Sequence, residues 1–192
     1  MYSMIATDKL DEANKLGGVQ ALLRASNNVF TIDDLMVLWG IGNKNTLWKT
    51  ISRYVRSGTL IRIYRGLYSK IPLDRLRQEE LGCALMGPFS YISLETVLAQ
   101  KGVILQNLEV VSLVGKTTKN CEVAGTRYVC KQMQESFLLN RAGIEDLINY
   151  SVASLERAIA DLDYYKPNYY LDNPSIVNPL IVSDIKEEVG YL

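Results

Sequence analysis

The sequence predicts a mixed α/β (α+β) fold, and three observations carry that prediction. In the first third, apolar residues recur at helical spacing and give way to a short β-prone pair of segments. Further on, apolar strand-like runs such as 110–114 alternate with helical segments such as 155–164. At 192 residues and 48% hydrophobic content, the chain is long enough to fill a core as one domain or two small ones.

Leu10, Ala13 and Leu16, then Val19, Leu22 and Leu23, predict helix over 8–26, with Gly17-Gly18 as a break or kink and Asn27-Asn28 as its end. Thr31 is a good N-cap for a short helix over 32–39, with Asp33 and Asp34 at its positive end. Gly40-Ile41-Gly42-Asn43 makes a tight turn, and a second helix runs over 44–57 with Gly58 just past its end. Residues 59–64 then read as a strand, Arg65-Gly66 as a turn and 67–71 as the returning strand, closed by Pro72. Helix, glycine turn, helix and hairpin in this order predict a winged helix-turn-helix over 1–72.

The second helix has two faces at 100° per residue. Leu47, Ile51, Tyr54 and Val55 form the core side, while Asn45, Lys49, Ser52, Arg53 and Arg56 gather within about 100° on the other. That polar face has three cations and no carboxylate. Such cations neutralise phosphates or reach guanine edges, and asparagine pairs with adenine, so the candidate ligand is double-stranded DNA in its major groove. Arg65, at the hairpin tip, is placed to enter the minor groove or clamp a phosphate; Arg62 either joins it or is an ordinary strand residue facing water. Tyr64 and Tyr68 are expected to pack the hairpin on the helices, and Trp48 is expected in the core.

The remainder, 73–192, predicts a small mixed α/β domain. A linking helix over 73–86 ends at Gly87-Pro88, and Ser93 is placed to cap a short helix over 94–101. Residues 109–114 read as a buried strand, and 116–120 as a polar loop. Segments 121–124 and 126–131 flank Gly125 as a hairpin or bulged strand. Residues 151–154 lead into a helix over 155–164, and a last helix or strand falls near 181–189.

Composition excludes several chemistries. There is no histidine, hence no Ser-His-Asp or Cys-His catalytic arrangement and no imidazole ligand. Cys83, Cys121 and Cys130 cannot make a four-thiolate zinc site, and they read as free thiols of a reducing compartment. Gly115-Lys116-Thr117 lacks the first glycine of a phosphate-binding loop, since position 110 is valine. Glu109, Glu122 and Asp161 have no spacing that fixes a magnesium site, and Arg157–Asp161 is an i,i+4 pair that supports a helix. Neither a cofactor motif nor a catalytic group stands out, which favours a binding protein over an enzyme such as a metal-dependent nuclease. The apolar runs are too short to span a membrane and 1–16 does not resemble a signal peptide, so a cytoplasmic protein is expected. The net charge of zero is a sum of opposites: ten bases against five acids over 1–72, and 11 against 16 over 73–192.

Three stretches carry a family likeness. They are Leu60-Ile61-Arg62-Ile63-Tyr64-Arg65-Gly66-Leu67-Tyr68, Tyr91-Ile92-Ser93-Leu94-Glu95-Thr96-Val97-Leu98, and Ala153-Ser154-Leu155-Glu156-Arg157-Ala158-Ile159-Ala160-Asp161. In this order the chain resembles the AbiEi-type antitoxins of bacterial type IV abortive-infection (AbiE) toxin–antitoxin systems. Leu155 stands where the family usually has proline. The resemblance implies a repressor whose winged helix binds promoter repeats of its own operon. It also implies a C-terminal domain that counteracts a nucleotidyltransferase-type toxin, in some members without a stable complex. Tyr91, Glu95, Glu156 and Arg157 are family-pattern positions, with a role in antitoxicity or in holding the domain together equally open. The alternative is a free-standing winged-helix regulator whose second domain binds a ligand or partner.

Overall fold

A computed structural model describes residues 17–106 and 109–191, and the chain divides into two compact units, Met1–Leu76 and Arg77–Leu192. The predicted helical stretch 8–16 lies outside the described residues.

The first unit opens with α1 (17–24). Gly17 and Gly18 are the first two residues of this helix, so the expected break or kink falls at the edge of the described residues. Gly18 is there for close packing: a Cβ at this position would sit 2.3 Å from the Tyr54 hydroxyl. Past the end of α1, Lys70 Nζ donates to the carbonyls of Leu22 (3.2 Å) and Ala25 (2.5 Å), placing a cation at the negative helix end. A short strand that the sequence pattern did not reveal, β1 (Val29–Thr31), follows. Thr31 then caps α2 (Ile32–Trp39) in a capping box. Its Oγ1 accepts from the Asp34 backbone N–H at 3.1 Å, and the Asp34 carboxylate accepts from the Thr31 N–H at 2.8 Å. Gly40, with φ +61°, closes this helix in the left-handed conformation.

Asn43 caps α3 (Lys44–Arg56), its side chain accepting from the N–H groups of Asn45 and Thr46. Strands β2 (Ile61–Tyr64) and β3 (Leu67–Ser69) form the hairpin, and β1 adds to β3 in a three-stranded antiparallel sheet ordered β1-β3-β2. The strand expected to reach Ile71 stops at Ser69, because the Ser69 hydroxyl exchanges hydrogen bonds with the backbone of Ile71 and turns the chain. Leu22, Phe30, Leu35, Leu47, Ile51, Tyr54, Leu60 and Tyr68 are the buried core. Two aromatic expectations fail. Trp48 is 46% exposed and Tyr64 is 43% exposed. Trp48 lies on the arc of α3 that turns away from Leu47, Ile51 and Tyr54, and alternation along β2 sends Tyr64 outward while Tyr68 turns in.

The predicted helix over 73–86 is two pieces. A 3-10 turn (Leu73–Arg75) ends at Leu76, whose backbone is extended, and α4 (Gln78–Met86) starts afresh in the second unit. There the strands β4 (Tyr91–Ile92), β5 (Val110–Gly115), β6 (Lys119–Val123), β7 (Thr126–Gln132), β8 (Ile144–Asp146) and β9 (Ser151–Ala153) form one mixed sheet, ordered β6-β7-β5-β4-β9-β8. β6 and β7 join through Ala124 and Gly125, both with positive φ, the geometry a two-residue hairpin needs. Gly82 of α4 lets that helix lie against the Tyr128 ring and Leu113, 3.1 and 3.3 Å from where a Cβ would be. The remaining helices are α5 (Glu95–Gln100), α6 (Glu135–Leu139), α7 (Leu155–Tyr165) and α8 (Pro179–Val189), with α7 packed against α5 and α8. No described helix is long and apolar enough to cross a membrane.

Candidate nucleic-acid interface

From Leu35 to Leu73 the chain has no Asp or Glu, while Lys44, Lys49, Arg53, Arg56, Arg62, Arg65 and Lys70 supply seven cations. The fold sends most of these outward together. With Leu47, Ile51 and Tyr54 buried, α3 presents Asn45, Lys49, Ser52 and Arg56 to solvent. Arg53 differs from its neighbours on that face. It is half-buried, its guanidinium carbon lies 5.3 Å from the Tyr54 ring centroid, and its enclosed Nε has no hydrogen-bond partner among the described residues.

Arg62 and Arg65 are exposed on the wing. The β2–β3 register pairs Arg62 with Tyr68 and Tyr64 with Leu67, so an irregularity between them bends the strand just before the tip. Gly66, at φ +77°, makes the turn and brings the tip against Ile32. Arg62, Arg65, Ser52 and Trp48 border one groove between wing and α3, floored by Ile32, Val55 and Tyr68. Of the seven residues singled out for DNA, six are thus exposed, three of them together with Trp48 around this groove. Trp48, expected in the core from its place at the flank of the apolar face, also lies only about 60° from Asn45 on the helical wheel, beside the polar face.

The family-pattern residues of the second unit part company. Arg157 and Asp161 are fully buried on α7, joined by an Nε–Oδ1 bond of 2.8 Å. The other guanidinium nitrogens donate to the carbonyls of Asn140 (3.1 Å), Ala142 (2.8 Å) and Phe137 (3.2 Å) and to the hydroxyls of Tyr91 (3.1 Å) and Tyr191 (3.3 Å). Asp161 accepts in turn from Tyr91 (3.0 Å), Ser93 (2.7 Å) and Tyr191 (2.5 Å). Burial works against the Arg157 charge, but Asp161 and the two phenols outweigh it and hold the guanidinium above its ordinary pKa. Burial beside Asp161 pushes both phenols up, so Tyr91 and Tyr191 stay protonated donors. Every hydrogen-bonding atom of Arg157 is engaged. Tyr91 and Arg157 therefore hold β4, α7 and the segment 137–142 together.

Ser93 was expected to cap the next helix; it gives its hydroxyl to Asp161 instead, and Leu94 stands at the cap with φ +58°. Glu95 pairs with Lys166 at 3.1 Å. Burial raises its pKa, and a backbone N–H and Lys166 more than offset that, leaving the carboxyl below its usual range. Glu156 is half-buried and lines a separate groove with Glu79, Gln100, Lys101, Glu145 and Tyr150. Asp161 is thus far from available for metal, and Glu109 and Glu122 lie around another groove. Among the described residues no group of three or more Cys, Asp or Glu side chains is arranged to hold a metal. The three cysteines are free thiols.

Residues 19–69 match a family described as transcriptional regulator, AbiEi antitoxin. The match covers α1 through the wing, the region that presents the cationic face. Among curated proteins none matches the chain.

Proposed function

We propose that this chain, whose residues 19–69 match the AbiEi antitoxin family of transcriptional regulators, binds double-stranded promoter DNA through α3 and the wing and so represses its own operon. The observation that carries this reading is the acid-free stretch 35–73, in which Asn45, Lys49, Ser52 and Arg56 lie exposed on the recognition-position helix and Arg62 and Arg65 on the wing. In this reading the exposed ridge of α3 faces base edges in the major groove. The wing arginines take the narrower groove or its bordering phosphates.

The second unit, in the same proposal, counteracts a nucleotidyltransferase-type toxin encoded beside it, with or without a stable complex. Support comes from the family of the first unit and from the family-pattern residues of the second. Of these, half-buried Glu95 and Glu156 are the positions on which antitoxicity can depend by direct contact, since Tyr91 and Arg157 are buried. Because the family match ends at residue 69, a regulator whose second unit binds some other partner is the reading to be separated from it.

Two experiments test the proposal. Gel shift with the gene's own upstream DNA should show binding that is lost or weakened in Arg56→Ala and Arg65→Ala. Binding should also alter the emission of Trp48, and Trp48→Phe should remove that change. Co-expression with the adjacent gene, scored by growth, should show protection that survives Arg56→Ala. Wild-type affinity in both arginine variants refutes the interface. Failure to protect against an adjacent nucleotidyltransferase-like gene favours the plain regulator.

A further inference from the structure

We propose that the notch between α1 and α3 is a seat for one phosphate of the DNA backbone, with Lys49 and Arg53 as its cations. The inference rests on the DNA-binding reading above, and it gives Arg53 a task different from that of its neighbours on the helix.

The notch has Gly18, Ala21 and Trp39 at its back, and Thr46, Lys49, Thr50 and Arg53 along the α3 side. Among the described residues no carboxylate lines it. Lys49 and Arg53 are i and i+4, hence about 6 Å apart along the axis and on one flank. Arg53 is held in place before any ligand arrives. Its guanidinium lies over Tyr54, and Tyr54 is itself fixed, buried in the core with its ring 5.2 Å from that of Trp39 and its hydroxyl against Gly18. The cost of an arginine's flexibility is thereby largely removed, and a planar fork suits a phosphate's paired oxygens.

The enclosed Nε makes the case specific. Buried N–H groups are nearly always hydrogen-bonded, and this one has no acceptor among the described residues. An oxyanion in the notch would supply one. Position on the helix says which oxyanion. Arg53 stands about 80° round α3 from Asn45, at the edge of the exposed ridge. When the ridge faces the bases, that edge faces the strand bordering the groove, where phosphates lie. A free phosphate has the same chemistry, so the test must separate the two sources.

Affinities of the full-length chain for its promoter duplex and for a scrambled duplex are measured over a series of KCl concentrations, for wild type, Lys49→Gln, Arg53→Gln and Arg53→Lys, with thermal midpoints as the folding control. A backbone seat predicts that each Gln variant weakens both duplexes by the same factor and flattens the log–log salt slope by about 0.9. Arg53→Lys should restore the slope but not the full affinity. Loss of discrimination between duplexes in Arg53→Gln would mean that this residue reads a base, and would overturn the seat. So would a wild-type salt slope in both Gln variants. Replacing KCl by inorganic phosphate at equal ionic strength supplies the other arm: if phosphate binds in an Arg53-dependent way while the salt slopes match wild type, the ligand is the free anion and the proposal fails. Absence of binding to either duplex by the wild type itself removes the DNA reading and the seat with it.

Discussion

Replacing Arg157 by methionine tests the account of the second unit most directly. The side chain is fully buried and donates to Asp161, to Tyr91 and Tyr191, and to three backbone carbonyls. Methionine fills part of the volume and supplies no donor. Asp161 would keep three hydroxyl donors yet become a buried charge without its counterion, and the carbonyls of Phe137, Asn140 and Ala142 would lose this partner. Removing one member of a buried pair costs about 3–5 kcal/mol. Against a domain stability of about 5–15 kcal/mol, this is a large share. The midpoint should fall by roughly 10–25 °C, at about 3–5 °C per kcal/mol for a unit of this size.

Urea unfolding followed by far-UV circular dichroism measures the loss. Tryptophan emission, confined to Trp39 and Trp48 in the first unit, reports separately on that unit. Arg157→Met combined with Asp161→Leu removes both charges and should recover part of the loss. A loss below about 1 kcal/mol, or a double variant as unstable as the sum of its parts, would refute the idea of a closed ionic network. Either result would also reopen a contact role for Arg157 in antitoxicity.

Other outcomes follow from single contacts. Thr31→Ala removes one half of the capping box and should cost about 1 kcal/mol, read from the tryptophan-monitored transition. Gly18→Ala forces a methyl into the Tyr54 hydroxyl, so it should destabilise the first unit and weaken DNA binding together, with gel shift and thermal melting moving in the same variant. Burial pushes the thiols of Cys83 and Cys130 up to about 11 and about 12, so iodoacetamide under native conditions should label Cys121 well before either, by mass spectrometry. Lys186, 2.5 Å away, holds the Asp163 carboxyl below its usual range. That depressed value stabilises the fold above the ordinary carboxylate pKa and stops doing so as pH falls through the folded value. Lys186→Met should therefore lower stability at neutral pH and lessen its decline in acid.

Where one physical signal dominated, the sequence alone placed the elements well. The apolar side of α3, the glycine turn before it and the hairpin after it follow from local periodicity and turn chemistry. Elements set by distant partners were not legible. The strand β1 is three residues long and exists because β3 is there to pair with it. The helix α6 and strand β8 likewise offered no period to read. Ser93 has every local attribute of a cap, but Asp161, 68 positions away, takes its hydroxyl. Arg157 and Asp161 were visible as an i,i+4 pair; that they lie beneath the surface depends on Tyr91 and Tyr191, which no spacing connects to them. On α3 the residue types pointed to the polar face, and only packing on Tyr54 separates Arg53 from Arg56.

Thr31 belongs at once to the last pair of β1 with β3 and to the cap of α2. A three-residue strand is too short to fix its own alignment by side-chain alternation. Slipping by one position would pull the hydroxyl and N–H of Thr31 off Asp34 and turn Phe30 out of the core. Misalignment of the sheet is thus penalised at a helix terminus, and the strand least able to choose its register has it chosen by the helix that follows.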